Sequence, residues 1–238
     1  MSFDLTSFLC EFKFEAGRIN ARLARANDGR QLVQVRVELG VLQMECDGRP
    51  DGLESVLPRA EAEVRSASAA RGAGLSPTTA AQIRLEMVQL QQRAVAFLAV
   101  GDPSRALRDA DAVLHGTGMI IEHGVDTDRE WAEGARFSVV VLRTRCAAAA
   151  LAASGRQREA GAAIESGLRM LREAAERISI GEHFDTLSDV TALRALRDTL
   201  VPQLPPAQRS ELEARLRAAV LAENFELAAI LRDELRML

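Results

Sequence analysis

Tyrosine is absent from this 238-residue chain, tryptophan occurs once, and aromatic residues make up 4% of the total. So sparse a set leaves little from which to build the stacking platforms that hold single-stranded nucleic acid or sugar rings. Trp131 is expected to anchor the core. Lysine is as scarce as tryptophan: Lys13 is the one lysine among 30 basic residues, which leaves 29 arginines. These arginines are dispersed among 34 acids for a formal net charge of -4, so no basic run marks a nucleic-acid or anionic-lipid footprint. Direct nucleic-acid binding is therefore not expected. The arginine excess reads as compositional bias, with phosphate gripping by the guanidinium fork as the sharper alternative.

Cysteine is limited to Cys10, Cys46 and Cys146, an odd count with no C-x-x-C pair. Neither a disulfide framework nor a zinc knuckle follows, and a reducing compartment, the cytoplasm, is expected. His115, His123 and His183 show no metal-ligand spacing, so they read as surface or capping residues and no metal is expected. The glycine clusters at 72–74 and 116–118 lack the further glycine of a dinucleotide loop and the Lys-Ser/Thr of a phosphate loop. They read as turns, and no cofactor is expected. Glu130 and Glu133 beside Trp131 read as solvated acids, so no catalytic residue is assigned and the chain is taken as non-enzymatic. An enzyme would need a pocket between helices lined by clustered acids or histidines. The N-terminus lacks an export signal and the most apolar internal stretch is interrupted by Arg143 and Arg145, so no membrane span is expected.

What is present is ordinary globular material, 47% hydrophobic and 27% charged, enough for one large helical domain or two small ones. Residues 18–47 alternate at period two through Ile19, Leu23, Val33, Val35, Val37 and Leu39, which predicts strands. Asn27-Asp28-Gly29 fits a hairpin turn, and Gly40 reads as a bulge or bend before a third short strand over 41–46. From 53 to 178 the period becomes helical, with breaks expected at 70–77, 101–102, 115–118 and 153–156. Two helical pairs, 90–114 and 145–171, resemble the tetratricopeptide hairpin, with Ala94, Ala106, Ala148 and Ala160 at its small crossing positions. The large aromatics of that family are missing and Gly101 and Gly155 do not keep its spacing, so these are divergent repeats, or generic helical hairpins, with an intervening helix near 128–141. A further helix is predicted over 186–200, with Leu187, Val190, Leu193 and Leu196 or Leu200 on one side, ended by Pro202, Pro205 and Pro206.

The chain ends in a helical hairpin. Leu212, Leu216, Ala219 and Val220 form one apolar stripe, and Asn224 is a natural N-cap for the second helix. The run LEARLRAAVLAENFELAAILRDELRML resembles the UVR motif of the bacterial excision-repair proteins UvrB and UvrC. That resemblance implies an antiparallel hairpin that associates with a second such motif or with a partner protein, as in adaptors of protein quality control. Together with LGVLQMECDGRPDG near the N-terminus, the whole layout is similar to that of a group of bacterial proteins.

The expected fold is mostly α, of the α+β kind. It comprises an N-terminal antiparallel sheet over 1–52, a tetratricopeptide-like helical domain over 53–201 and the UVR hairpin over 205–238. On the last helix Ala228, Leu231, Leu235 and Leu238 form the expected stripe, while Leu227, Ile230 and Met237 fall on a neighbouring apolar face. Two apolar faces call for two neighbours. Phe225, Leu227, Ile230, Leu231, Arg232, Asp233 and Met237 are accordingly the candidate partner-binding residues. The cover is open between the protein's own helical domain, a second copy and a foreign protein. The functional expectation is an interaction scaffold or adaptor; the alternative is a DNA-repair accessory factor recruited through UvrB or UvrC.

Overall fold

The computed structural model describes residues 5–69, 74–200, 206–222 and 224–237, with the side chains at 68–69, 206–210 and 233–237 left out. In chain order the elements are α1 (Thr6–Glu11), β1 (Asn20–Arg25), β2 (Gln31–Val37), β3 (Gly40–Glu45), α2 (Leu57–Ala69), α3 (Pro77–Ala99), α4 (Pro103–His123), α5 (Asp126–Ala153) and α6 (Gln157–Arg177). A 3-10 turn (Gly181–Thr186), α7 (Ser188–Leu200), α8 (Pro206–Leu221) and α9 (Phe225–Met237) complete them. The chain is thus mostly α, with a small antiparallel sheet at its N-terminus and a helical hairpin at its end.

The sheet runs β1-β2-β3, with Leu23 opposite Val33 and Val33 opposite Met44. Period-two alternation puts these on one face, where Val33 and Met44 are buried against Ala94 and Phe97 of α3 and Ala106 and Ala110 of α4. On the opposite face Arg22 donates to Gln34 and Gln34 to Gln43, both at 2.9 Å, and the Arg22 guanidinium lies 4.2 Å from the Phe12 ring centroid beyond the end of α1. The first turn has Gly29 at φ +89°, a left-handed conformation that glycine adopts without steric cost. Gly40 is no bulge: it pairs with Val37 across a tight turn made by Glu38 and Leu39 and opens β3.

Two antiparallel helical hairpins follow, α3/α4 and α5/α6. Both turn on a left-handed glycine, Gly101 at φ +78° and Gly155 at φ +74°. Ala94, Ala106, Ala148 and Ala160, the expected crossing positions, are all fully buried. The break expected at 115–118 does not occur, and α4 runs unbroken through it. Gly116 is a packing glycine: a Cβ there would meet Met87 Cε at 3.0 Å and Ile83 at 3.2 Å. The helix expected near 128–141 is likewise the first half of one long α5. Trp131 is not a core anchor, because it lies 38% exposed under the Arg84 guanidinium. On α7, Val190 and Leu193 are buried and Leu196 is turned outward, while Leu200 and, just before the helix, Leu187 pack in part against the same cluster. Pro202 and Pro205 lie outside the described residues.

Carboxylates tie α2 to α3. Glu86, buried on α3, accepts from the Ser55 hydroxyl and the Val56 amide, both at 2.7 Å. Glu63 on α2 accepts from the Thr79 hydroxyl at 2.6 Å and the Ser76 amide at 2.7 Å, fixing the N-cap of α3. The Thr79 hydrogen bond, then that from Ser76, holds the Glu63 carboxyl below the ordinary glutamate value of 4.5. A pKa lowered by folding contributes stability that is present above the unfolded value and lost as pH falls through the folded one. Glu63→Gln is therefore expected to lower the urea midpoint at neutral pH while flattening its fall below about pH 4.5. Parallel acid limbs for variant and wild type would show that Glu63 makes no such contribution.

Candidate functional site

α8 and α9 lie antiparallel, and Asn224 fixes the turn between them. Its amide donates to the Ala219 carbonyl at 2.9 Å and its side-chain oxygen accepts from the Leu227 amide at 3.1 Å. This is the expected N-cap, with Glu226 placed favourably in the first turn of α9. Ala219, Ala228 and Leu231 are buried between the helices and Leu212 and Leu216 pack at their margin. Among the described residues, that cluster draws on the two helices alone. The small side chains of Ala219 and Ala228 allow a close crossing.

The seam of α8 follows 212, 216 and 219. Val220, expected on it, stands about 100° further round the helix and is 51% exposed. Leu221 is 87% exposed, Phe225 69% and Ile230 58%, with Leu227 also uncovered. The second apolar face read from the sequence is thus real at Leu227 and Ile230, while Phe225, about 160° round α9 from Leu227, and Val220 and Leu221 on α8 are separately exposed. Sequence reasoning named Phe225 but missed Val220 and Leu221. The same 100° step that took Leu227 off the seam was the signal for them.

Of the other candidates, Leu231 is turned inward and serves the hairpin's own seam. Arg232 is exposed. The side chains of Asp233, Met237 and Leu235, together with Leu238, lie outside the described residues. Full burial of such an apolar side chain stabilises by about 1.5 to 3 kcal/mol, so covering Phe225 and Ile230 is worth roughly 1 to 2 kcal/mol each.

Elsewhere, Asp111, His115 and Glu122 line a cleft of about 350 Å³. Asp111 is held by Arg143 at 2.9 Å and His115 by Glu61 at 3.0 Å, so both are engaged on the surface. Among the described residues no group of three or more metal-type ligands comes together, and no helix is long and apolar enough to cross a membrane.

Residues 207–238 match the family model of the UvrB/uvrC motif, UVR. No curated protein and no solved structure matches the chain. The matched stretch takes in nearly all of α8, the Asn224 turn and all of α9. The hairpin at residues 207–238 thus matches the UVR motif, on a helical protein with a small N-terminal sheet.

Proposed function

We propose that the protein is a non-enzymatic adaptor whose helical body presents the UVR hairpin to a protein partner. The observation that carries this reading is the bare apolar face of Leu227 and Ile230, with Phe225 exposed on the other flank, on a hairpin whose own seam is already filled by Ala219, Ala228 and Leu231. A UVR motif is a protein-interaction element, and that face is the part of it left for a partner. An apolar helix, such as a second UVR hairpin, has the chemistry to cover it. Arg232 and Asp233 stay, from the sequence alone, candidate specificity contacts. The three free thiols suit a reducing cytoplasm.

Purified UVR hairpins of UvrB and UvrC, titrated into the full chain by calorimetry, test the reading alongside self-association by light scattering. Wild type is expected to bind a hairpin or itself. Leu227→Glu/Ile230→Glu should weaken that at least tenfold with unchanged circular dichroism, because both positions are exposed. Binding confined to the UvrB or UvrC hairpin would place the adaptor in excision repair. A wild type that binds neither hairpin, and shares its chemical cross-linking pattern in cells with the double variant, would overturn the proposal.

A further inference from the structure

α9 sorts its charges between its two exposed sides. At about 100° per residue, Glu226, Asp233 and Glu234 fall within about 60° of Ile230, whereas Arg232 and Arg236 fall within about 20° of Phe225. Glu226 and Arg232 are exposed, and positions 233, 234 and 236 follow from the register of the helix and the sequence. Among the residues of α9, the face of Leu227 and Ile230 is therefore margined by acids alone.

Helix electrostatics account for one of these acids. Glu226 stands in the first turn, where the amide end of a helix favours a carboxylate. Glu234 stands in the last turn and Asp233 just before it, where the carbonyl end favours a base instead. Arg236 does suit that end, but it lies on the Phe225 side. Acids placed against the helix dipole and beside a bare apolar surface are explained if the cover of that surface brings the opposite charge.

Charge then selects among the possible covers. Two copies meeting through this face about a two-fold axis would set acid against acid, and an acidic partner would be repelled in the same way. A helix with an apolar stripe between basic flanks lays the stripe on Leu227 and Ile230 and the flanks on the carboxylates. We propose that this face takes a basic amphipathic helix of another protein, its apolar stripe flanked by arginine or lysine. The proposal rests on the docking reading above and adds to it the charge of the occupant. Burial of Leu227 and Ile230 supplies the affinity, while Glu226, Asp233 and Glu234 supply the choice of partner and the rate of encounter.

The probes are two synthetic helical peptides with the same length and the same leucine stripe, one flanked by arginine and the other by glutamate, titrated by calorimetry into the full chain. The arginine-flanked peptide is expected to bind about tenfold tighter or more at low salt, with the gap narrowing as salt rises. Leu227→Ser/Ile230→Ser should abolish its binding, and Glu226→Gln/Asp233→Asn/Glu234→Gln should bring the two peptides to similar affinities with unchanged circular dichroism. Equal affinity of both peptides for the wild type, lost in Leu227→Ser/Ile230→Ser, would overturn the basic partner and leave the docking face standing. A preference that survives neutralisation of the three acids, or binding that survives loss of Leu227 and Ile230, would place the peptide elsewhere and also overturn it. Failure of both peptides to bind overturns it as well, and the docking reading is then decided by the hairpin titrations described above.

Discussion

Asp109→Ala is expected to lower the unfolding free energy by about 3 to 5 kcal/mol, the cost of stranding one member of a buried ion pair. Asp109 and Arg93 are both almost completely buried, and the guanidinium meets the carboxylate with two bonds, Nε to Oδ2 at 2.6 Å and Nη2 to Oδ1 at 2.9 Å. The third side of Arg93 donates to the Glu45 carbonyl at 2.7 Å. Arg108 bridges the same aspartate at 3.1 Å and the Cys46 carbonyl at 2.7 Å. This one carboxylate thus holds α3, α4 and the end of β3 together, and its loss leaves a guanidinium without counter-charge under the sheet. A fall of that size is a large share of the roughly 5 to 15 kcal/mol that a typical protein has. Urea unfolding is the measurement, and Arg93→Met/Asp109→Leu is the control, since an apolar pair of similar volume needs no counter-charge and should recover most of the loss. A single-variant loss below about 1 kcal/mol would mean that the pair behaves as a solvated surface bridge.

Nothing in the spacing of Arg93 and Asp109 announced that pair, because they stand on different helices and each also fits a solvated face. The strands were legible because alternation through Val33, Val35 and Val37 reports a half-buried surface directly. Helix existence was legible too, but not helix continuity. Gly116 and Gly118 read as a break because glycine disfavours helix in isolation, and the sequence does not display the Met87 contact that fills the space at Gly116. Trp131 was misplaced for a similar reason: its size argued for burial, while Arg84, 47 positions earlier, supplies a cationic lid that makes partial exposure tolerable. On α9 the reading was sharper. An amphipathic wheel separates Leu231 from Leu227 and Ile230 without tertiary information, and the structure places the first inside and the other two outside.

Gly167→Ala is expected to destabilise by about 2 kcal/mol net, even though alanine is the better helix former by about 1 kcal/mol. Gly167 lies where α6 crosses α5. A Cβ there would sit 2.8 Å from Thr144 Cβ and closer still to both branches of that side chain. Threonine is stiff at χ1, and Thr144 is further held by donation to the Val140 carbonyl at 2.7 Å, so it has nowhere to swing. The same substitution elsewhere calibrates the effect. At Gly134, exposed within α5 with nothing inside 4 Å, alanine should stabilise by about 0.5 to 1 kcal/mol. At Gly116 the obstacle is chiefly the flexible end of Met87, so the packing cost should be smaller and partly offset by propensity. Thermal unfolding should therefore rank the variants Gly134→Ala, Gly116→Ala, Gly167→Ala from most to least stable. Thr144→Ala in the Gly167→Ala background should recover part of the loss, since it removes the two branches but keeps the Cβ. Equal midpoints for the three variants would show that the α5–α6 crossing yields at little cost, and that the glycine was not required by the close approach.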